Sequence, residues 1–161
     1  GAIAAYDVDV WGFQILYAGI FRAQTNVPNY DPQLFLFDAS GNGIVGNDDI
    51  GSVGSIYDEN SYMEATLSPG TYYLAISRYD RDPVNSDGDR IFLDGFTGFQ
   101  SPNGPGGPGP LADWSGNVPF GSSPNEYKIY VDAPSPTPEP VTMLLVGMGV
   151  VGLMGYVRKA L

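Results

Sequence analysis

The side chains of this sequence best equipped for chemistry are carboxylates gathered in short acidic runs. Asn47, Asp48 and Asp49 are consecutive, with Asp31 and Asp38 upstream. Hard oxygen donors of this kind suit calcium, and adjacent aspartates repel one another unless a cation or water screens them. Asp48 and Asp49 are therefore the expected ligands, helped by Asp31, Asp38 or Asn47. A second pattern overlaps the first. Asp38, Ser40 and Asn42 stand at the first, third and fifth places of a loop, with Gly43 at the sixth and Asp49 at the twelfth, a spacing that imitates a calcium loop. Its last residue is Asp rather than the longer bidentate Glu, and its flanks read as strands rather than helices. A plain turn is the stronger reading there. Asp80, Asp82, Asp87 and Asp89 make a further acidic stretch that Arg78, Arg81 and Arg90 are placed to neutralise, and it reads as a solvated loop.

Several chemistries are excluded at once. The chain has neither histidine nor cysteine, so zinc-thiolate sites, disulfides, Ser-His and Cys-His nucleophile systems and covalent haem attachment are ruled out. Its 18 acidic side chains against 7 basic ones give a net charge of −11, and the few Lys and Arg are scattered, which argues against nucleic acid as a partner. Two carboxylates can hydrolyse a glycoside, but nothing in the sequence pairs two of the 18, and no catalytic activity is expected.

The elements that must hold these residues are strands. With 22 Gly, 14 Pro and 13% aromatic residues, the 161-residue chain is too apolar for disorder and too punctuated for a helix bundle. Trp11, Phe13, Ile15, Tyr17, Phe21 and Ala23 alternate with polar neighbours, interrupted at Ala18 and Gly19, which predicts two strands with a bulge or turn between them. Leu34 to Phe37, the turn residues Gly41, Asn42 and Gly43, then Ile44 and Val45 predict a hairpin. Further strands are expected at Tyr62–Leu67, Thr71–Ser77, Arg90–Leu93 and Tyr127–Val131. The stretch Pro102 to Pro110 reads as a surface loop, and Tyr72, just after Pro69 and Gly70, as a corner tyrosine tying a loop to a strand. Residues 6–132 should thus form an antiparallel, jelly-roll-like β-sandwich with Trp11, Phe13, Ile15, Leu34, Leu36, Leu74, Ile76, Ile129 and Val131 in its core. Residues 1–5 resemble the small-residue end of a secretory signal.

Beyond this domain, residues 133–140 place proline at every second position and predict an extended stalk. Val141 to Val157 is a run of seventeen uncharged residues, about 25 Å as a helix and so a candidate transmembrane segment. Arg158 and Lys159 follow it, forming with Ala160 and Leu161 a basic tail at 158–161. That charge places the C-terminus in the cytoplasm and the β-domain on the periplasmic side of a bacterial inner membrane. Gly149, Gly152 and Gly155 recur on one side of the helix and would allow close packing against another helix.

Two resemblances attach to these residues. Pro138-Glu139-Pro140, the glycine-punctuated apolar run and the Arg158-Lys159 pair resemble a PEP-CTERM sorting signal, with Glu139 as its signature acid. The resemblance implies export, retention in the membrane and recognition by an exosortase-type enzyme. Asp31, Leu34 to Asp38, Gly41, Gly46 to Asp49 and Leu67 to Ala75 resemble the pre-peptidase C-terminal-like modules. That likeness implies a non-catalytic sandwich with acidic loops, some members of which bind calcium. With its tail intact and glycines on the helix, the chain is expected to be a structural or accessory subunit of a membrane protein complex, respiratory or photosynthetic for example, in contact with lipid and with other subunits. The alternative is an exosortase-sorted protein of the cell surface or extracellular matrix, able to self-assemble.

Overall fold

A computed structural model describes residues 1–4, 6–27, 30–53, 56–93, 98–107, 109–116 and 125–136. Pro138, Glu139, Pro140, the run Val141 to Val157 with its three glycines, and Arg158 and Lys159 lie outside these. Among the described residues there is no helix, and the strands are β1 Ala2–Ile3, β2 Asp9–Ile15, β3 Gly19–Asn26, β4 Pro32–Asp38, β5 Gly43–Asn47, β6 Gly51–Val53, β7 Ile56–Asp58, β8 Tyr62–Leu67, β9 Gly70–Arg78, β10 Asp82–Val84, β11 Asp113–Ser115, β12 Asn125–Glu126 and β13 Lys128–Asp132.

Every strand pairing is antiparallel. One sheet has the order β2-β9-β4-β5 and another the order β13-β3-β8, with three two-stranded pairs beside them. Ile15, Leu34, Leu36, Leu74 and Ile76 from the first sheet meet Phe21, Ala23, Met63 and Leu67 from the second in a single buried cluster. Phe13 stacks on Phe21 across the gap, ring centroids 5.1 Å apart. Each fully buried side chain of this size contributes about 1.5–3 kcal/mol. The turn expected near Gly19 is present, and it carries the chain from one sheet to the other rather than closing a hairpin. The link from β8 to β9 crosses back at the same end, where the Tyr72 hydroxyl donates to the Ser68 carbonyl at 2.9 Å, the tie expected of a corner tyrosine.

The run Leu34 to Phe37 lacks alternation because β4 is covered on both faces. Leu34 and Leu36 enter the main core, while Phe35 and Phe37 join Ala75, Ile91 and Phe92 in a second cluster flanked by Leu111 and Trp114. The cover comes from residues 79–93, 98–107 and 109–116, and here two expectations are corrected. Arg90 to Leu93 is not a strand. Ile91 and Phe92 are buried as side chains, and the backbone of Ile91 is satisfied by the Pro83 carbonyl and the Gly104 amide, both at 3.0 Å. Nor does all of Pro102 to Pro110 lie on the surface, since Gly104, Gly106 and Gly107 are buried. A Cβ at Gly104 would strike the Arg90 carbonyl oxygen, so glycine is what lets the two backbones meet.

The core list also needs correction. Ile15, Leu34, Leu36, Leu74 and Ile76 are buried, and Phe13 and Ile129 are half-buried, but Trp11 and Val131 are 40% and 53% exposed. They sit on β2 and β13, which are edge strands among the described residues. Ile3, in the leading segment, is fully buried, and β1 pairs with β12.

Candidate metal centre

Asp31 stands just before β4, and Asp48 and Asp49 just after β5. Because Leu34 pairs with Asn47, the hairpin brings these two strand ends together. Potential ligand oxygens of Asp31, Asp48 and Asp49 all lie within 4.8 Å of one another. Two oxygens sharing a calcium ion at about 2.3–2.6 Å can be no more than about 5 Å apart, so the trio is close enough to share such an ion. Asp48 and Asp49 are 8% and 4% exposed. Asp31 is half-buried, and its Oδ1 has no hydrogen-bond partner among the described residues. Burial first, then the charges of Asp49 and Glu59, push the Asp31 carboxyl up to about 7. Burial and neighbouring like charges both disfavour the ionised form of a carboxyl.

A polar scaffold fixes the trio from behind. The Asn47 amide donates to the carbonyls of Asp49 at 3.0 Å and Gly98 at 2.8 Å, and its Oδ1 accepts the Tyr62 N–H at 2.7 Å. The Ser61 hydroxyl lies 2.7 Å from the Asp48 carbonyl and 2.6 Å from that of Pro32, and the Ser61 N–H donates to Thr25 Oγ1 at 2.8 Å. The Asp31 carbonyl accepts the Tyr79 N–H at 2.9 Å. Asp48 also borders a cavity of about 70 Å³ whose lining includes Gln33, Asp80, Asp82 and Gln100.

The structure thus gathers three of the five candidate ligands. Asn47 is adjacent, but its side chain holds backbone rather than facing the carboxylates. Asp38 lies at the far end of β4, roughly 20 Å along the strand. Its Oδ1 accepts the N–H groups of Ser40 and Asn42 at 2.8 and 2.9 Å, and its Oδ2 accepts the Asn42 amide at 3.0 Å. Burial opposes ionisation there, yet the hydrogen bonds from Asn42, Ser40 and Gly41 hold the carboxyl below the ordinary range. The loop-like spacing from Asp38 to Asp49 is therefore a capped turn followed by a strand, which places its first and last residues at opposite ends of the hairpin. Sequence reasoning did not find Thr25 or Ser61, which carry no charge or motif to mark them. In the second acidic stretch Arg90 pairs with Asp80 and Asp82, each at 3.1 Å, an internal neutralisation, and Asp87 is exposed.

Fold and site together define an all-β antiparallel domain with a buried acidic cluster at one end. Comparison with protein families accounts for the tail attached to that domain: the PEP-CTERM protein-sorting motif matches residues 136–159. No curated protein matches the chain. The motif corrects the expectation of an accessory subunit in a respiratory or photosynthetic complex. It points to proteins sorted by an exosortase toward the surface, and the apolar run with Gly149, Gly152 and Gly155 falls within the matched span. Such a run has its explanation as part of a sorting signal. Among the described residues no helix is long and apolar enough to cross a membrane.

Proposed function

We propose that this chain is a non-catalytic, exported bacterial surface protein delivered by its C-terminal signal. The observation that carries the reading is the sorting motif at residues 136–159. In it, the two sheets are a jelly-roll-like β-sandwich of the pre-peptidase C-terminal-like kind, displayed outside the cytoplasm. The linker over 133–140 leads into Val141 to Val157, which spans the membrane with Arg158 and Lys159 on the cytoplasmic side. An exosortase-type enzyme then recognises Pro138-Glu139-Pro140. Calcium held by Asp31, Asp48 and Asp49 stiffens the end of the domain away from the tail, because a cation neutralises carboxylates that otherwise repel one another.

Expression in a bacterium with and without its exosortase tests the sorting. With the enzyme, the parent chain is expected in the surface fraction at a mass lowered by loss of its tail, while Glu139→Ala stays in the membrane at full length. Equal masses and equal fractions in both strains would overturn the reading.

A further inference from the structure

The three segments that meet where the chain leaves the domain are uncharged. They are residues 15–21 around the β2–β3 crossing, residues 65–71 around the β8–β9 crossing, and residues 133–135. Their coincidence is a consequence of register. Ile15 pairs with Gly70, Gly19 with Leu67, and β13 runs antiparallel to β3 until Asp132 opposes Arg22, which carries the next residues toward Gly19. Pro134 arrives there, close enough that a Cβ on Gly19 would stand 3.0 Å from its side chain. Around this point Leu16 is 68%, Tyr17 45% and Ile20 43% exposed.

The opposite end is acidic. Arg78, at the far end of β9 from Gly70, pairs with Pro32 beside Asp31, so the carboxylate trio lies about 25 Å along the strands from the crossing. Leu93 and Phe99, 48% and 51% exposed, lie beside the acidic end, so the two ends differ in charge: exposed apolar side chains without charged neighbours where the chain exits, carboxylates at the other.

We propose that the β2–β3 crossing, through Leu16, Tyr17 and Ile20, seats on the lipid surface in which the tail is held before the exosortase removes it. The inference rests on the reading that Val141 to Val157 sits in the membrane. From Pro134 to Val141 the chain is seven residues, at most about 25 Å when extended, so this end of the domain is kept within reach of the bilayer. Tyrosine and leucine suit the headgroup boundary, where an apolar body is buried while a hydroxyl stays wet. The absence of charge from the three segments removes the desolvation cost that a carboxylate would bring there. Seated this way, the acidic end points outward from the membrane.

The full-length chain, which has no cysteine, accepts a single label at Leu16→Cys or at Glu59→Cys, an exposed position near the acidic end. Each NBD-labelled protein is reconstituted into phosphatidylcholine vesicles with or without doxyl-labelled lipid, and flotation is measured alongside fluorescence. The expected result is co-flotation of both, with a blue-shifted label at position 16 quenched at least three-fold more strongly than the label at 59. Co-flotation with equal, weak quenching at the two positions overturns the proposal while leaving the anchor intact. A label at 16 that is blue-shifted but unquenched means a second copy covers the crossing, which also overturns it. Failure to float removes the anchoring reading, and this proposal with it.

Discussion

Asp31 and Asp49 belong to the same carboxylate cluster, with ligand oxygens within 4.8 Å, and burial first, then the charge of Asp49, push the Asp31 carboxyl up to about 7. Like charges at this separation disfavour one another's ionised form, and a cation bound between them would relieve that repulsion.

Calcium should therefore stabilise the protein and chelation should reverse the effect. At one hundred times its dissociation constant, an ion bound only by the folded state adds about 2.7 kcal/mol. The thermal midpoint of the intact chain, scanned with calcium and then with chelator, reads this directly. An unchanged midpoint counts against the trio as a cation site.

The pH dependence has a definite sign. In the fold Asp31 titrates near 7 rather than at the ordinary 3.8, so between those values the native state holds more protons than the unfolded one. The calcium-free protein then carries a penalty from Asp31 that is full above about pH 7 and is relieved as pH falls toward 4. Asp31→Asn should raise the calcium-free midpoint at pH 8, with the advantage shrinking by pH 5, and should abolish the response to calcium. Denaturation curves of parent and variant at the two pH values test both claims.

Asn47 is a positioning residue rather than a ligand. Asn47→Ala leaves the carbonyls of Asp49 and Gly98 and the amide of Tyr62 without its side chain, a loss of about 2–4 kcal/mol. It should also weaken calcium binding, because the backbone of Asp49 loses its support. Urea midpoints and calcium titration separate the two effects.

Gly104→Ala forces a methyl group against the Arg90 carbonyl and the Ile91 backbone. A cost of about 1–3 kcal/mol is expected for such overpacking. Trp114 lies 5.6 and 6.4 Å from the rings of Phe35 and Phe37 under this cover, so a shift in tryptophan emission should accompany the change. Calcium affinity should be unaltered.

What the sequence determined by itself is local in origin. Alternation marks β2 and β3, the glycine-rich turn marks the β4–β5 hairpin, and Tyr62–Leu67 coincides with β8, because side-chain period and turn chemistry act within a few residues. The sorting tail is legible for the same reason, being a contiguous string of prolines, apolar residues and basic stop. The tertiary structure decided which acids meet. Asp38 lay closer in sequence to Asp48 and Asp49 than Asp31 did, yet the antiparallel register of β4 and β5 carries Asp38 to the far end and folds Asp31 against them. It also decided that Phe35 and Phe37 are buried beneath Ile91 and Phe92, that Trp11 and Val131 stay at open edges, and that Ile3 enters the core. Each of these outcomes depends on a partner far away in the chain, and register between distant strands is fixed by the packing of the whole core rather than by the residues of either strand.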